Sequence, residues 1–159
     1  MTNSWIKAVL VLHVLSALWL AAGAFGGAVV RAVGRRATDL AGKVTALRIA
    51  WRLISIFGLP GSVVAGLTGL TLLGPLGYGL RPGWVRIAVT LWILVLALNL
   101  FYSFPRLRHT LAAAEASLAA GAPSDEFKRL ASAKAPRMLA DLTALAVVVF
   151  VVLMVLRPY

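Results

Sequence analysis

The chain has 159 residues, 61% of them hydrophobic, and a formal charge of +11 with only five acids. Soluble domains are about 45–50% apolar, so this composition excludes an ordinary soluble fold. With no cysteine, disulfides, thiolate metal sites and cysteine nucleophiles are excluded as well.

In a soluble protein such a charge would suggest nucleic acid. Here the basic residues sit between apolar runs, so the chain reads as a membrane protein with no nucleic-acid partner. The runs cover residues 5–30, 53–74, 87–104 and 138–156. Each is near the ~20 residues needed to cross a hydrocarbon core of roughly 30 Å. The expected fold is all-α, one polytopic domain over residues 1–159 built as a four-transmembrane-helix bundle.

The first run is too long for a signal peptide. It has no basic n-region and continues into "GAFGGAVVR" instead of a cleavage site, so it is expected to remain as a span. On a helical wheel, His13, Ser16, Ala17, Leu20, Ala24 and Gly27 share one face, with Val11, Leu15, Leu18, Phe25 and Val29 opposite. The bulky face suits lipid and the small-residue face suits a neighbouring helix. His13 therefore points into the bundle or into a subunit interface. It lies eight residues beyond Trp5, roughly 12 Å deep at about 1.5 Å per residue.

Six cations follow this span (Arg31, Arg35, Arg36, Lys43, Arg48 and Arg52), and six more lie between spans three and four. Only Lys7, Arg81, Arg86 and Arg157 lie on the other side. The positive-inside rule puts both basic loops in the cytoplasm, against anionic headgroups, and both termini outside a bacterial inner membrane.

Span two carries Gly58, Ser62 and Gly66 at every fourth position, as span one carries Gly23 and Gly27. Such rows let helices approach closely in lipid. They predict packing within the bundle, or against a second copy or a larger membrane complex. Pro60 is expected to kink span two and expose a carbonyl. After span three, "PRLRHTLAAAEASLAA" places Leu107, Leu111 and Leu118 at helical spacing. "GAPSDEF" then breaks the helix, and Ser124 can cap a new one with Asp125 and Glu126 in its first turn. A cytoplasmic helical hairpin between helices three and four is the result. In span four, Asp141 is expected to pair with Arg31, Arg48 or Arg52. Trp5, Trp51, Trp84, Tyr78 and Tyr159 read as interface anchors, and His109 as a solvated interfacial residue. There is no Ser-His-acid set at one depth, no HExxH and no phosphate-binding glycine loop, so no hydrolase or transferase is indicated.

An ionisable group inside a span is a candidate site. Three readings of His13 stand open. It is a neutral histidine bonded to Ser16, Thr68 or a carbonyl near Pro60; an axial ligand to haem iron; or a soft-metal or proton site. His109, near the other end of the bundle, cannot share a metal with it within one chain. A bis-histidine haem would need His13 from two subunits. A copper site would draw on Met154 as the second soft ligand.

Lys7, "LHVLSALWLAAG", the Thr68-Gly69 pair and the closing "MVLRP" resemble the bacterial CopD-type superfamily, with His13, Trp19 and Gly23 carrying most of the likeness. That superfamily includes the membrane domain of copper resistance protein D, small membrane proteins without assigned activity, and HemJ-type protoporphyrinogen oxidases. The resemblance implies a b-type haem or redox-associated membrane subunit with His13 as axial ligand. Ser16, Trp19 and Thr68 would flank the haem, and Arg81 and Arg86 would meet its propionates. It also implies two alternatives, a non-catalytic accessory subunit and copper uptake through His13 and Met154.

Overall fold

The computed structural model describes residues 4–156, all helix and turn with no strands among them. Arg157 and Tyr159, read above as an outer cation and an anchor, lie outside the described residues. The helices are α1 (Ser4–Arg36), α2 (Leu40–Leu53), α3 (Leu59–Leu73), α4 (Gly83–Leu98), α5 (Phe104–Ala119), α6 (Asp125–Ser132) and α7 (Ala135–Leu156). Two π-helical turns, Ile54–Gly58 and Asn99–Ser103, join α2 to α3 and α4 to α5 without a break. Four long apolar helical stretches result, each able to cross a membrane by length and composition. At 32 to 37 residues and about 1.5 Å per residue, each is longer than a hydrocarbon core is thick.

Both π-turns precede a proline. The Leu59 N–H reaches Ile54 O one residue before Pro60, and the Phe104 N–H reaches Asn99 O one residue before Pro105. Proline lacks a donor and its ring crowds the carbonyl four residues back. One extra residue in the preceding turn widens the helix and removes the clash, so each helix passes its proline unbroken.

The wheel of span one holds. Ser16, Gly23 and Gly27 are buried, while Val11, Leu15, Leu18, Phe25 and Val29 are exposed toward where lipid would lie. The tightest seam joins α1 to α3. A Cβ on Gly23 would fall 2.6 Å from the Gly58 nitrogen, and one on Gly61 would fall 2.6 Å from the Leu20 nitrogen. The backbones touch, and only glycine fits at either point. Asn99 Nδ2 donates to Thr143 Oγ1 at 3.1 Å and ties the second π-turn to α7.

The sequence offered Gly23, Gly27, Gly58, Ser62 and Gly66 to an interface between chains. The structure uses all five within one chain. Gly23 meets Gly58, Gly27 leaves room for the Arg31 guanidinium of its own helix, and Gly66 lies beneath the Trp92 ring. The Ser62 carbonyl accepts the Trp92 Nε1–H at 2.9 Å. An interface between chains therefore needs a different surface. Asp141 meets its expectation in part: it is exposed with no ion pair within 4.0 Å among the described residues, yet Arg31, one of its three expected partners, lies close enough to feel its charge. Arg48 pairs instead with Glu115 at 2.8 Å.

At the end carrying both basic loops, α2, α5 and α6 enclose a small core of Val44, Ala113, Ala114, Phe127 and Leu130. The face of α5 buried there is Thr110, Ala113, Ala114 and Ser117, whose small side chains let α2 approach. Ser124 caps α6 as expected, accepting the Phe127 N–H at 3.1 Å, and its own N–H donates to Ser117 Oγ at 3.0 Å. Phe127→Ala should cost this subdomain about 3 kcal/mol. Limited proteolysis would show it as faster cleavage within residues 120–134, with the four spans still protected.

Candidate functional site

His13 lies in the third turn of α1, where its ring meets the last two turns of α3. The meeting follows from the antiparallel seam. His13 faces Thr68, Leu20 faces Gly61 and Gly23 faces Gly58, and the residue numbers of each pair sum to one value. The two helices therefore run without slip from the glycine contacts to the histidine. Gly69 removes the side chain that would otherwise fill the ring's place: a Cβ there would lie 3.0 Å from His13 Cε1.

His13 Nδ1 is 2.9 Å from Ala65 O and 3.1 Å from Thr68 Oγ1. A carbonyl oxygen only accepts, so in the neutral ring Nδ1 carries the proton. The Thr68 hydroxyl donates to Val64 O at 2.6 Å, which leaves it to accept a share of the Nδ1–H. Ser16 Oγ donates to His13 O at 2.9 Å and steadies the backbone behind the ring. Fixing Nδ1–H leaves the lone pair on Nε2. Among the described residues Nε2 has no hydrogen-bond partner, and His13 is only partly buried. A bare imidazole nitrogen facing hydrocarbon is costly. A donor, a metal or another chain is needed to cover it.

The other candidate residues are distributed as follows. Ser16 and Thr68 are buried beside His13. Trp19 points outward, 46% exposed, with its ring edge against Phe57 at 5.9 Å. Arg81, in the turn before α4, and Arg86, in its first turn, are exposed. Met154 lies in the last turn of α7 and is partly exposed. The structure thus brings together His13, Ser16 and Thr68, and it sets Trp19 against Phe57. Sequence reasoning missed Ala65 as the acceptor and Gly69 as the floor. The "TG" of Thr68-Gly69 was the available signal, because both residues build the seat.

With this geometry in hand, the comparison with known families adds one fact. A model for predicted integral membrane proteins, DUF2269, matches residues 7–158. The chain belongs to the DUF2269 family. No curated protein and no solved structure matches the chain. The matched region takes in both helices of the histidine seat.

The tautomer is directly measurable. In a His109→Gln background, the 15N spectrum of the remaining histidine should show a protonated Nδ1 and an unprotonated Nε2. The reverse assignment would contradict the geometry. Gly69→Val should push the ring off α3 and abolish the preference, whereas Thr68→Val, with the Ala65 carbonyl still in place, should change it little.

Proposed function

We propose that this DUF2269 protein is a redox-associated membrane subunit that presents His13 Nε2 as an axial ligand to b-type haem, with the haem seated between this chain and a second one. The observation that carries the reading is the Nδ1–H bond to Ala65 O at 2.9 Å, which leaves Nε2 as an unpartnered lone pair on a partly buried ring. Metal-bound histidines commonly donate their other N–H to a backbone carbonyl in this way, which orients the ring and raises its basicity. The resemblance of "LHVLSALWLAAG" to the CopD-type superfamily supports the same ligand.

A haem enclosed by one chain does not fit. α1 and α3 touch backbone to backbone beside the site, which leaves no room for a haem between them. A second copy of the chain would cover Nε2, complete the apolar walls and supply a second His13. Arg81 and Arg86, with Lys7, are cations on the short-loop side suited to carboxylates near the surface. When bound between two such imidazoles, haem would supply one-electron transfer chemistry.

Stoichiometry tests the shared seat. Protein purified in mild detergent from haem-supplied cells should carry one haem per two chains and migrate as a dimer. One haem per monomeric chain would rule out a seat shared between chains.

A further inference from the structure

A second site lies at the opposite end of the molecule from His13. Between the end of α1, α2, the two π-turns, α5, α6 and the start of α7 is a cavity of about 650 Å³. Pockets that take small molecules run from about 300 to 1,000 Å³. Six cations line it, Arg31, Arg35, Lys43, Arg106, Lys128 and Arg137, and no carboxylate does. A positive-inside bias requires only that cations be numerous on one side. It does not require cations from five different helices to converge on one concavity, where they repel one another. Lys128 has a partner in Asp125 at 3.0 Å, and the Arg137 guanidinium donates to Ala131 O. Arg31 feels Asp141 from outside the lining. These contacts leave most of the charge uncompensated.

Two polar atoms there are buried and unpartnered: Arg106 Nε and Ser103 Oγ. Both residues line the cavity. Ser103 closes the second π-turn and Arg106 follows Pro105, so the widened turn sets both at the cavity wall. Buried polar atoms without partners are rare in folded proteins and often mark a missing water or ion. Here the missing partner must accept a hydrogen bond from Arg106 Nε, and the six cations lining the cavity favour one that carries negative charge. Arginines converging on one point bind phosphate oxygens by bidentate bonds. Leu47, Phe127 and Leu130 supply an apolar wall beside them.

We infer that this cavity binds a phosphate-bearing anion, held by Arg106, Arg137 and the cations around them, with Ser103 Oγ as a further donor. Two sources share that chemistry: the headgroup of an anionic glycerophospholipid and a soluble phosphorylated molecule. The inference is independent of the haem reading, because no residue of the histidine seat lines the cavity.

The experiment is native mass spectrometry on delipidated full-length protein. The probes are dioleoyl-phosphatidylglycerol, dioleoyl-phosphatidylcholine and pyrophosphate. A saturable adduct with phosphatidylglycerol but not phosphatidylcholine, unaffected by pyrophosphate, supports the lipid source. An adduct with pyrophosphate that competes with phosphatidylglycerol supports the soluble one. In either case Arg106→Gln with Arg137→Gln should weaken the adduct roughly 30-fold, at about 1 kcal/mol per cation. Arg36→Gln with Arg108→Gln, which remove two exposed cations outside the cavity, should leave it unchanged. If the first pair does not fold by circular dichroism, Arg35→Gln with Lys43→Gln takes its place. Equal loss in cavity and control variants would reduce the effect to net charge and overturn the inference. So would the absence of any saturable adduct with the wild-type protein.

Discussion

Gly61→Leu should prevent the bundle from forming. Even a single Cβ at this position would fall 2.6 Å from the Leu20 nitrogen and 3.2 Å from Ser16 O. Those are backbone atoms inside a helix and cannot step aside as a side-chain tip would. The helices must part by an ångström or more, and the whole α1–α3 seam opens with them. Overpacking of this kind costs about 1–3 kcal/mol when side chains can adjust, and more when they cannot. Gly23→Val should behave alike, because its Cβ would meet the Gly58 backbone. The readout is thermal unfolding of the detergent-solubilised protein by circular dichroism. A sharp transition for the wild type and none for Gly61→Leu is expected. Gly74, with open space around it, is the control: Gly74→Ala should leave the transition in place.

Loss of haem on replacing His13 is the second large effect expected. His13→Ala removes the only imidazole of the first span, and the nearby Trp92 indole nitrogen, which donates to Ser62 O, has no lone pair to offer in its place. The variant should still fold, because the ring is only part-buried and its loss frees one carbonyl and one hydroxyl. Changes to the residues that seat the ring should act through it and be smaller. Gly69→Val, which displaces the imidazole, should weaken haem binding about 10- to 100-fold, the usual cost of disturbing the group behind a metal ligand. If Gly69→Val abolished binding as fully as His13→Ala, the seat and not the ligand would be the decisive element.

Much of this could be read from the sequence, and the misses have physical causes. Span one was legible because lipid selects bulky residues on one face and a neighbouring helix selects small ones on the other. The partners of His13 were legible only in part. Thr68 was anticipated, but the acceptor carbonyl was sought near Pro60 and is found at Ala65. The reason is register: in the antiparallel seam Pro60 lies opposite Ala21, eight residues along α1 from His13, so its neighbourhood lends no carbonyl to the ring. The row Gly58, Ser62, Gly66 was read as one face, yet a row at every fourth residue rotates about 40° per step. Gly58 accordingly faces α1, while Gly66 faces Trp92 on α4. The residues buried along α3 step by three and four instead, through Gly61, Ala65, Thr68 and Leu72. Asp141 was expected in an ion pair because nearby cations were counted along the chain, where the distance between side chains is invisible. The basic loops read as topology signals, and their convergence on one cavity required the three-dimensional arrangement of α2, α5 and α6.

The most direct measurement is the reduced-minus-oxidised optical spectrum of the purified protein, taken beside that of His13→Ala. Cells supplied with haem should yield a wild-type sample with sharp b-type bands that shift on reduction, and a folded His13→Ala sample without them. A featureless spectrum from well-folded wild-type protein, or bands that persist unchanged in the variant, would contradict His13 as the axial ligand.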